Sequence, residues 1–311
     1  GYVPADYFLG GEIPLDSKRA EEAIWKVAEP LGLDVSTAAM TIFTTVNSLM
    51  AGKMVEITTK RGYDVRDFAL VVGGGAGAVH CAHLAELLDI PEVVVPRFAA
   101  AYSAFGMLNM QVGRDFGRSI ISRLKLLDLE RVNGLFDDME VEARQIMGEI
   151  GIPFRDTVLR RSVDMRYVGQ FHEVEVTDVP LGRFGPEELK KITTAFHRRH
   201  EDLFTFNMPE RDVEFLNLRL KAMASQEPLR LAEIPRLKEE KQFAALKRRR
   251  PVLWSLAKGY EETPVWDGAG LAFGHRIIGP AIIEEPTTTL VIPKSFQCRV
   301  DSVKNYILSR R

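Results

Sequence analysis

Three consecutive glycines separate an apolar stretch from an alanine-rich stretch in the first third of the chain, and they constrain the fold more than any other feature. The apolar stretch, residues 68–72, predicts a strand buried on both faces, and residues 76–88 predict a helix. A second apolar run at residues 92–96 predicts a second strand. A strand, a helix and a strand within about 30 residues make a βαβ unit, so a parallel sheet is expected here.

The turn from the first predicted strand into the helix carries almost no side-chain bulk. Its residues are Gly73, Gly74, Gly75, Ala76 and Gly77. A ligand can approach such a backbone closely, and the first N–H groups of a helix favour anionic or polar atoms. The strict dinucleotide fingerprint is absent because its third glycine would fall at Ala78, and the Gly-Lys-Ser/Thr of a P-loop is missing. The glycines alone leave two interpretations open, a nucleotide contact and a tight packing turn.

Composition and charge describe a soluble globular protein. Of 311 residues, 46% are hydrophobic and 27% are charged, which permits a sizeable core. A net charge of −2 excludes the electrostatic footprint of a nucleic-acid or anionic-membrane partner, and no apolar run approaches the roughly 18 residues of a membrane span. Cys81 and Cys298 lack metal-ligand spacing and predict free thiols in the cytoplasm. The chain begins at Gly1 without methionine, and we expect it to be part of a longer polypeptide.

The middle of the chain mixes helical and strand-like patterns. Residues 124–151 are amphipathic and highly charged, which predicts a long surface helix. Residues 161–168 and 171–176 alternate apolar and polar side chains and predict an antiparallel hairpin. Residues 186–203 predict a further helix, and residues 213–223 alternate like a strand.

Changes of character along the chain predict four regions. Residues 1–122 contain the βαβ unit, and residues 123–225 form the helix and the mixed α/β part. Residues 226–251 are rich in proline, lysine and arginine, and predict an exposed connection. Phe243 is the only aromatic residue there, so this is not a stacking surface for nucleic acid. Residues 252–311 show short strands broken by glycine and proline.

Two pairs of histidines have the spacing of metal ligands. His80 and His83 lie one turn apart on the predicted helix, but no carboxylate or third histidine follows in a ligand-like spacing, so we favour a polar helix face and predict no metal. His197 and His200 could form a metal pair or supply a base. A solvated, charged helix face is the favoured interpretation of that second pair.

Other polar groups suggest sites that the sequence does not complete. Ser103 begins no nucleophile elbow, because Gly-x-Ser-x-Gly is absent. Glu284 and Glu285 could be paired carboxylates, but strand and turn are the favoured interpretation. Five residues of the predicted hairpin could orient a carbonyl compound or bicarbonate, although an ordinary polar face is favoured. They are Asp164, Arg166, Gln170, His172 and Glu173.

Segments spread over nearly the whole chain carry motifs that are weak singly and specific as a set. These segments are Phe8-Leu-Gly-Gly11 with Leu15-Asp16, residues 58–80, residues 87–96, Ser103-Ala-Phe-Gly106, residues 164–170, residues 276–284 and Thr287-Thr-Thr289. Together they resemble the C-terminal half of the hydantoinase A family. That group includes ATP-dependent 5-oxoprolinases, N-methylhydantoinases and subunits of acetone and acetophenone carboxylases. The chain departs from the family at Ala78, where proline is usual, and at residues 99–102, where the family is richer in glycine.

The resemblance implies an actin-like ATPase fold, in which two α/β lobes close over ATP. Residues 1–122 would be the C-terminal lobe of that ATPase domain, with a parallel βαβ core, and a smaller mixed α+β, strand-rich region would follow. A glycine pair at a strand–helix turn packs against adenosine in this fold, which implies ATP contacts at residues 73–77, His80 and Ser103. The phosphate loops of Asp-x-Gly-Gly-Thr type lie in the family's N-terminal half. The ligands of Mg²⁺ and of the phosphates are therefore expected outside this chain.

The resemblance further implies an enzyme subunit that uses ATP to activate a carbonyl substrate by phosphorylation. The expected reaction is hydrolytic opening of a cyclic amide of hydantoin or 5-oxoproline type. Carboxylation of a ketone is the alternative, and a non-catalytic nucleotide-binding or scaffold module is the second alternative. Expected partners are the N-terminal half of the same family protein, a hydantoinase B-type subunit and a small carbonyl compound. No catalytic residue is assigned, and the chain alone is expected to be inactive.

Overall fold

The computed structural model describes residues 1–225, 229–238 and 242–311. Contacts divide the chain into two units: Gly1–Leu108 with Leu229–Arg311 form the first, and Asn109–Pro228 form the second. This division differs from the four predicted regions. Residues 252–311 share a unit with the βαβ segment, because a strand from near the end of the chain pairs directly with a strand of that segment.

The helices of the first unit precede or follow the glycine turn. They are α1 (Ser17–Ala28), α2 (Val35–Thr59), α3 (Gly77–Leu87) and α4 (Tyr102–Leu108). Asp16 and Asp34 cap α1 and α2, because each carboxylate accepts a backbone N–H of the first helical turn. Among the described helices, none combines the length and the apolar character that crossing a bilayer requires.

The five-stranded sheet of the first unit carries the glycine turn. Its strands are β1 (Leu70–Val71), β2 (Glu92–Val95), β9 (Arg276–Ile278), β12 (Phe296–Val300) and β13 (Tyr306–Arg310), in the order β1-β2-β13-β12-β9. β1 pairs in parallel with β2, and α3 connects the two strands in the sequence. This confirms the predicted βαβ unit. The prediction that its first strand is buried on both faces is wrong. That strand lies at the sheet edge, where Val71 is 52% exposed.

A four-stranded sheet completes the first unit. Its strands are β7 (Leu246–Ser255), β8 (Gly259–Asp267), β10 (Ala281–Glu285) and β11 (Thr288–Ile292), in the order β11-β10-β8-β7. The predicted exposed connection over residues 226–251 is wrong at its end, because residues 246–251 belong to β7 and pair with β8. Residues 226–228 and 239–241 of that prediction lie outside the described residues. Cys81 and Cys298 are free, buried thiols in the core of this unit.

The second unit is an antiparallel sheet with two helices packed on one face. Its strands are β3 (Gly113–Arg123), β4 (Thr157–Tyr167), β5 (Val174–Val179) and β6 (Val213–Ala224), in the order β3-β6-β4-β5, and its helices are α5 (Leu129–Glu149) and α6 (Pro186–Phe204). Buried Phe136 of α5, Phe196 of α6 and Phe215 of β6 share one core. The predicted hairpin, both helices and the last strand are confirmed.

Candidate functional site

The glycine turn between β1 and α3 opens to solvent at Gly74. This residue has φ +96°, its N–H donates to the carbonyl of Ala99 at 2.7 Å, and no described atom lies within 4 Å of the position its Cβ would take. At Gly77, by contrast, a Cβ would lie 2.7 Å from Cγ1 of Val72. The packing interpretation therefore applies at Gly77, which permits close approach of the helix, whereas Gly74 leaves open space beside the turn.

Gly74 and Gly52 differ in backbone conformation, so replacing each with alanine should change the free energy of unfolding in opposite directions. Gly74→Ala should lower the free energy of unfolding by about 1–2 kcal/mol, because an L side chain is strained at positive φ. Gly52→Ala, in the interior of α2 with open space around it, should raise it by about 0.5–1 kcal/mol. Urea unfolding followed by circular dichroism measures both. If Gly74→Ala left the free energy of unfolding unchanged, the turn would have relaxed to negative φ in the variant.

A cavity of about 330 Å³ lies beside the glycine turn, within the first unit. Gly75 and Ala76 form one wall, residues 3–9 form another, and the turn joining β10 to β11 forms a third. The hydroxyl of Thr288 donates to the carbonyl of Gly75 at 2.7 Å, which fixes the third wall against the first. Segments that match family motifs at residues 8–11, 73–77 and 287–289 thus meet at one cavity.

Most of the described cavity walls are apolar, and Glu285 supplies a carboxylate. Its Oε1 accepts from the hydroxyl of Tyr306 and lies 3.0 Å from Nζ of Lys304. Burial raises the pKa of Tyr306 well above its ordinary value, so the phenol stays protonated and donates. Gly268 leaves the room that this carboxylate occupies, because a Cβ there would collide with it. An apolar cavity with one oriented polar group is the usual form of a small-molecule site.

Glu284 faces away from that cavity and is fully buried. Its carboxylate contacts Arg250 and lies 2.9 Å from Lys247 and 3.2 Å from Arg248. Burial alone would raise the pKa of Glu284, but hydrogen bonds from Lys247 and Arg248 outweigh it, and the pKa lies below its ordinary value. The predicted strand is confirmed here, and alternation along β10 separates the two adjacent carboxylates.

The cations around Glu284 also hold the first residues of the chain. Arg248 donates two hydrogen bonds to the Asp6 carboxylate at 2.7 and 2.9 Å, and Arg250 donates to the carbonyl of Tyr2 at 2.7 Å. Nζ of Lys247 lies 3.3 Å from the ring centroid of Tyr7, which lines the cavity. The Lys/Arg stretch of β7 is therefore structural, because it fixes a cavity wall to a buried carboxylate.

His80 and His83 pack between α3 and α2, outside the described cavity walls. Nδ1 of His80 lies 3.0 Å from Oδ1 of Asn47, and its ring stacks on Phe43 at a centroid distance of 5.0 Å. Burial lowers the pKa of His80, and it lowers the pKa of His83 to about 4. Among the described residues, no group of three potential ligands is arranged to hold a metal. Asn47, a buried polar residue in an apolar helix, was a sequence signal for this contact.

Gly73 packs against α4, the helix that also carries Ser103. A Cβ on Gly73 would be 3.4 Å from the ring of Tyr102, and Ser103 follows on the same helix, exposed to solvent. Neither belongs to the described cavity walls. Of the predicted contacts, the structure brings Gly75 and Ala76 into the cavity, and Gly74 stands beside them.

The favoured interpretation, a solvated face of α6, is wrong for His200, whereas His197 is half-buried and the charged residues beside the two histidines are exposed. His200 is fully buried, with Nδ1 2.8 Å from the carbonyl of Phe206 and Nε2 2.9 Å from the Gln170 amide. Nδ1 of His197 lies 2.7 Å from the hydroxyl of Tyr167. The partners of the two histidines, Tyr167 and Gln170, belong to the Tyr-x-Gly-Gln part of the family motif at the hairpin turn. These hydrogen bonds therefore pack α6 against the start of that turn.

The five polar hairpin residues do not form one group. Asp164 is buried and accepts hydrogen bonds from Arg219 at 2.8 Å and Asn217 at 2.9 Å. Arg166 instead donates to Glu214 at 2.7 Å. Gln170 binds His200, as described above, and His172 packs edge-on against Phe171. Cross-strand pairing of β4 with β6 explains the contacts of Asp164 and Arg166.

Models of two protein families match this chain. The hydantoinase/oxoprolinase model matches residues 1–115, and the hydantoinase/oxoprolinase C-terminal domain model matches residues 123–309. Caprolactamase subunit alpha of Pseudomonas jessenii is 32% identical over 99% of this chain and 45% of its own length. The acetophenone carboxylase gamma subunit of Aromatoleum aromaticum is 30% identical over 97% of this chain and 42% of its own length.

Two solved structures share the fold over the whole chain. The ATP-dependent caprolactamase from Pseudomonas jessenii has a TM-score of 0.75 at 31% identity, and nucleotide-free acetone carboxylase has a TM-score of 0.87 at 23% identity. Each match covers 100% of this chain and 45% of the other, so the chain spans less than half the length of these relatives. The predicted α/β fold of actin-like ATPase type is confirmed by these matches. The chain belongs to the hydantoinase/oxoprolinase family.

Proposed function

We propose that this chain carries the adenosine side of the ATP site in an enzyme that opens a cyclic amide. One observation carries this proposal: an exposed glycine turn borders a mostly apolar cavity built from three family motifs. A planar purine suits apolar walls, and a carboxylate such as Glu285 can accept a hydrogen bond from its amino group. The phosphates and Mg²⁺ are assigned to the part of the relatives that this chain does not cover.

The proposed contacts follow the geometry of the turn. Gly74 leaves space for the ligand, and Gly75 and Ala76 offer their backbone at the beginning of α3, where N–H groups point outwards. Gly73 and Gly77 would shape the turn. His80 and Ser103 lie outside the described cavity walls and stay predicted contacts to other parts of the nucleotide.

Similarity to the caprolactamase subunit supports the cyclic amide as the substrate class. In such a reaction, ATP would transfer its γ-phosphoryl group to the amide oxygen and leave as ADP. Water would then add to the activated carbon, the ring C–N bond would break, and the phosphate would be released. Similarity to the acetophenone carboxylase subunit supports ketone carboxylation as the second candidate. Under either reaction, the chain would act with its N-terminal counterpart and a B-type partner subunit.

Reconstitution tests the proposed function. The chain is combined with its N-terminal counterpart and partner subunit, and ADP release is measured with caprolactam, hydantoin, 5-oxoproline, acetone and acetophenone. Release that depends on one of the cyclic amides supports the leading proposal, and release that depends on a ketone with bicarbonate supports the carboxylase. If none of the five compounds stimulates ADP release, the chain is a non-catalytic module.

A further inference from the structure

Asn47 has only one possible amide orientation in the structure. It is 2% exposed on the inner side of α2, and its Nδ2 donates to the carbonyl of Phe43 at 2.9 Å. The reverse orientation would place an oxygen against that carbonyl oxygen, which leaves two acceptors facing each other. Oδ1 of Asn47 is therefore the atom presented to His80.

The orientation of Asn47 fixes the tautomer of His80. Nδ1 of His80 lies 3.0 Å from Oδ1 of Asn47, and an oxygen acceptor requires a proton on that nitrogen. The ring is neutral at pH 7, because burial lowers the pKa of His80. A neutral imidazole carries one proton, so Nε2 holds an unshared electron pair. Stacking on Phe43, with 19° between the rings, fixes the direction in which that pair points.

The described surroundings of His80 favour this neutral form. Asn47 and Phe43 contact it from α2, and His83 is the titratable neighbour on α3. Burial lowers the pKa of His83 to about 4, so it adds no positive charge at neutral pH. Within the part of the chain that the structure describes, no carboxylate forms an ion pair with His80, and Nε2 has no hydrogen-bond partner.

We infer that Asn47 is a positioning residue that holds His80 as the Nδ1–H tautomer, so that Nε2 accepts a hydrogen bond from a ligand O–H or N–H group. His80 lies one helical turn beyond Gly77, at the start of the helix that leaves the glycine turn. The ligand class, a nucleoside with hydroxyl donors, rests on the proposed function. An acceptor at Nε2 disfavours phosphate oxygens, which are themselves acceptors. His80 would therefore contact the sugar or base of a nucleotide, never its phosphates.

Nitrogen NMR of the ¹⁵N-labelled chain tests the tautomer directly. At pH 8, His80 should show a protonated Nδ1 and an unprotonated Nε2. Asn47→Leu removes the acceptor and should shift the proton to Nε2. Thr44→Val is the matched control, since Thr44 also bonds a carbonyl of its own helix, Met40 at 2.8 Å, without contacting His80. A protonated Nε2 in the unaltered chain overturns the inference.

A second measurement tests the ligand role, with adenosine and inorganic phosphate as probes. Adenosine should move the Nε2 signal of His80, and phosphate should leave it in place. Movement with phosphate, or adenosine binding that leaves Nε2 unmoved, overturns the ligand role. Failure of adenosine to bind, with the Nδ1–H pattern intact, counts against the proposed nucleotide site and the ligand role, while the positioning by Asn47 stands.

Discussion

Replacing Glu284 with glutamine lowers the free energy of unfolding by about 3–5 kcal/mol, because removing one partner of a buried ion pair leaves the others without compensation. Three cations, Lys247, Arg248 and Arg250, meet this fully buried carboxylate. A neutral amide keeps the shape but not the charge. Chemical unfolding at pH 7 measures the loss.

Glu92→Gln is the matched control for this prediction. Glu92 lies 4.0 Å from Arg299, and both side chains are about half exposed. Exposed pairs contribute little, so the control should change the free energy of unfolding by about 1 kcal/mol at most. Equal effects at the two positions would show that the cluster around Glu284 is no stronger than a surface pair.

The effect of Glu284→Gln also depends on pH. Its pKa in the folded protein lies below the ordinary value of 4.5, because the cations stabilise the charged form. A lowered folded pKa stabilises the protein above the unfolded pKa, and that contribution disappears as pH falls through the folded pKa. The difference between the unaltered chain and the variant should therefore be full at pH 7 and shrink below about pH 4.5. A difference that stays constant down to pH 2 would contradict this.

Ala76→Trp should weaken adenine-nucleotide binding by the reassembled enzyme at least about tenfold, since a lost contact of 1.4 kcal/mol already gives that factor. Ala76 is exposed, lines the cavity and has negative φ, so an indole ring can occupy the space without backbone strain. Titration calorimetry measures the affinity, and thermal unfolding confirms that the variant is folded. Ala104→Trp, on the exposed surface of α4, is the control. Unchanged affinity in Ala76→Trp would place the nucleotide elsewhere.

Local sequence patterns predicted the helices and strands of the βαβ unit. They did not predict the contacts between distant segments that form the cavity. The βαβ unit was visible because apolar runs and glycines follow one another within a short stretch. The cavity was not, because its walls come from residues 3–9, 75–79 and 285–289, which only the fold brings together. Their shared family motifs were the available signal.

Charge explains the main error. A Lys/Arg-rich stretch is usually solvated, so residues 246–251 were assigned to a connection. The partner that keeps these cations inside the protein, Glu284, follows 34 to 37 residues later and was not visible as a partner in the sequence. The same limit applies to His200, whose neutral surroundings come from Gln170 and Phe206.

The strand order of the five-stranded sheet has a consequence for biosynthesis. β13 lies between β2 and β12, although it follows β2 in the sequence by more than 200 residues. The glycine turn therefore emerges from the ribosome long before the strand that supports its sheet, whereas the second unit is continuous in sequence and can fold while translation proceeds. Until β13 arrives, β2 presents an unpaired edge, and the nascent chain is then most exposed to aggregation.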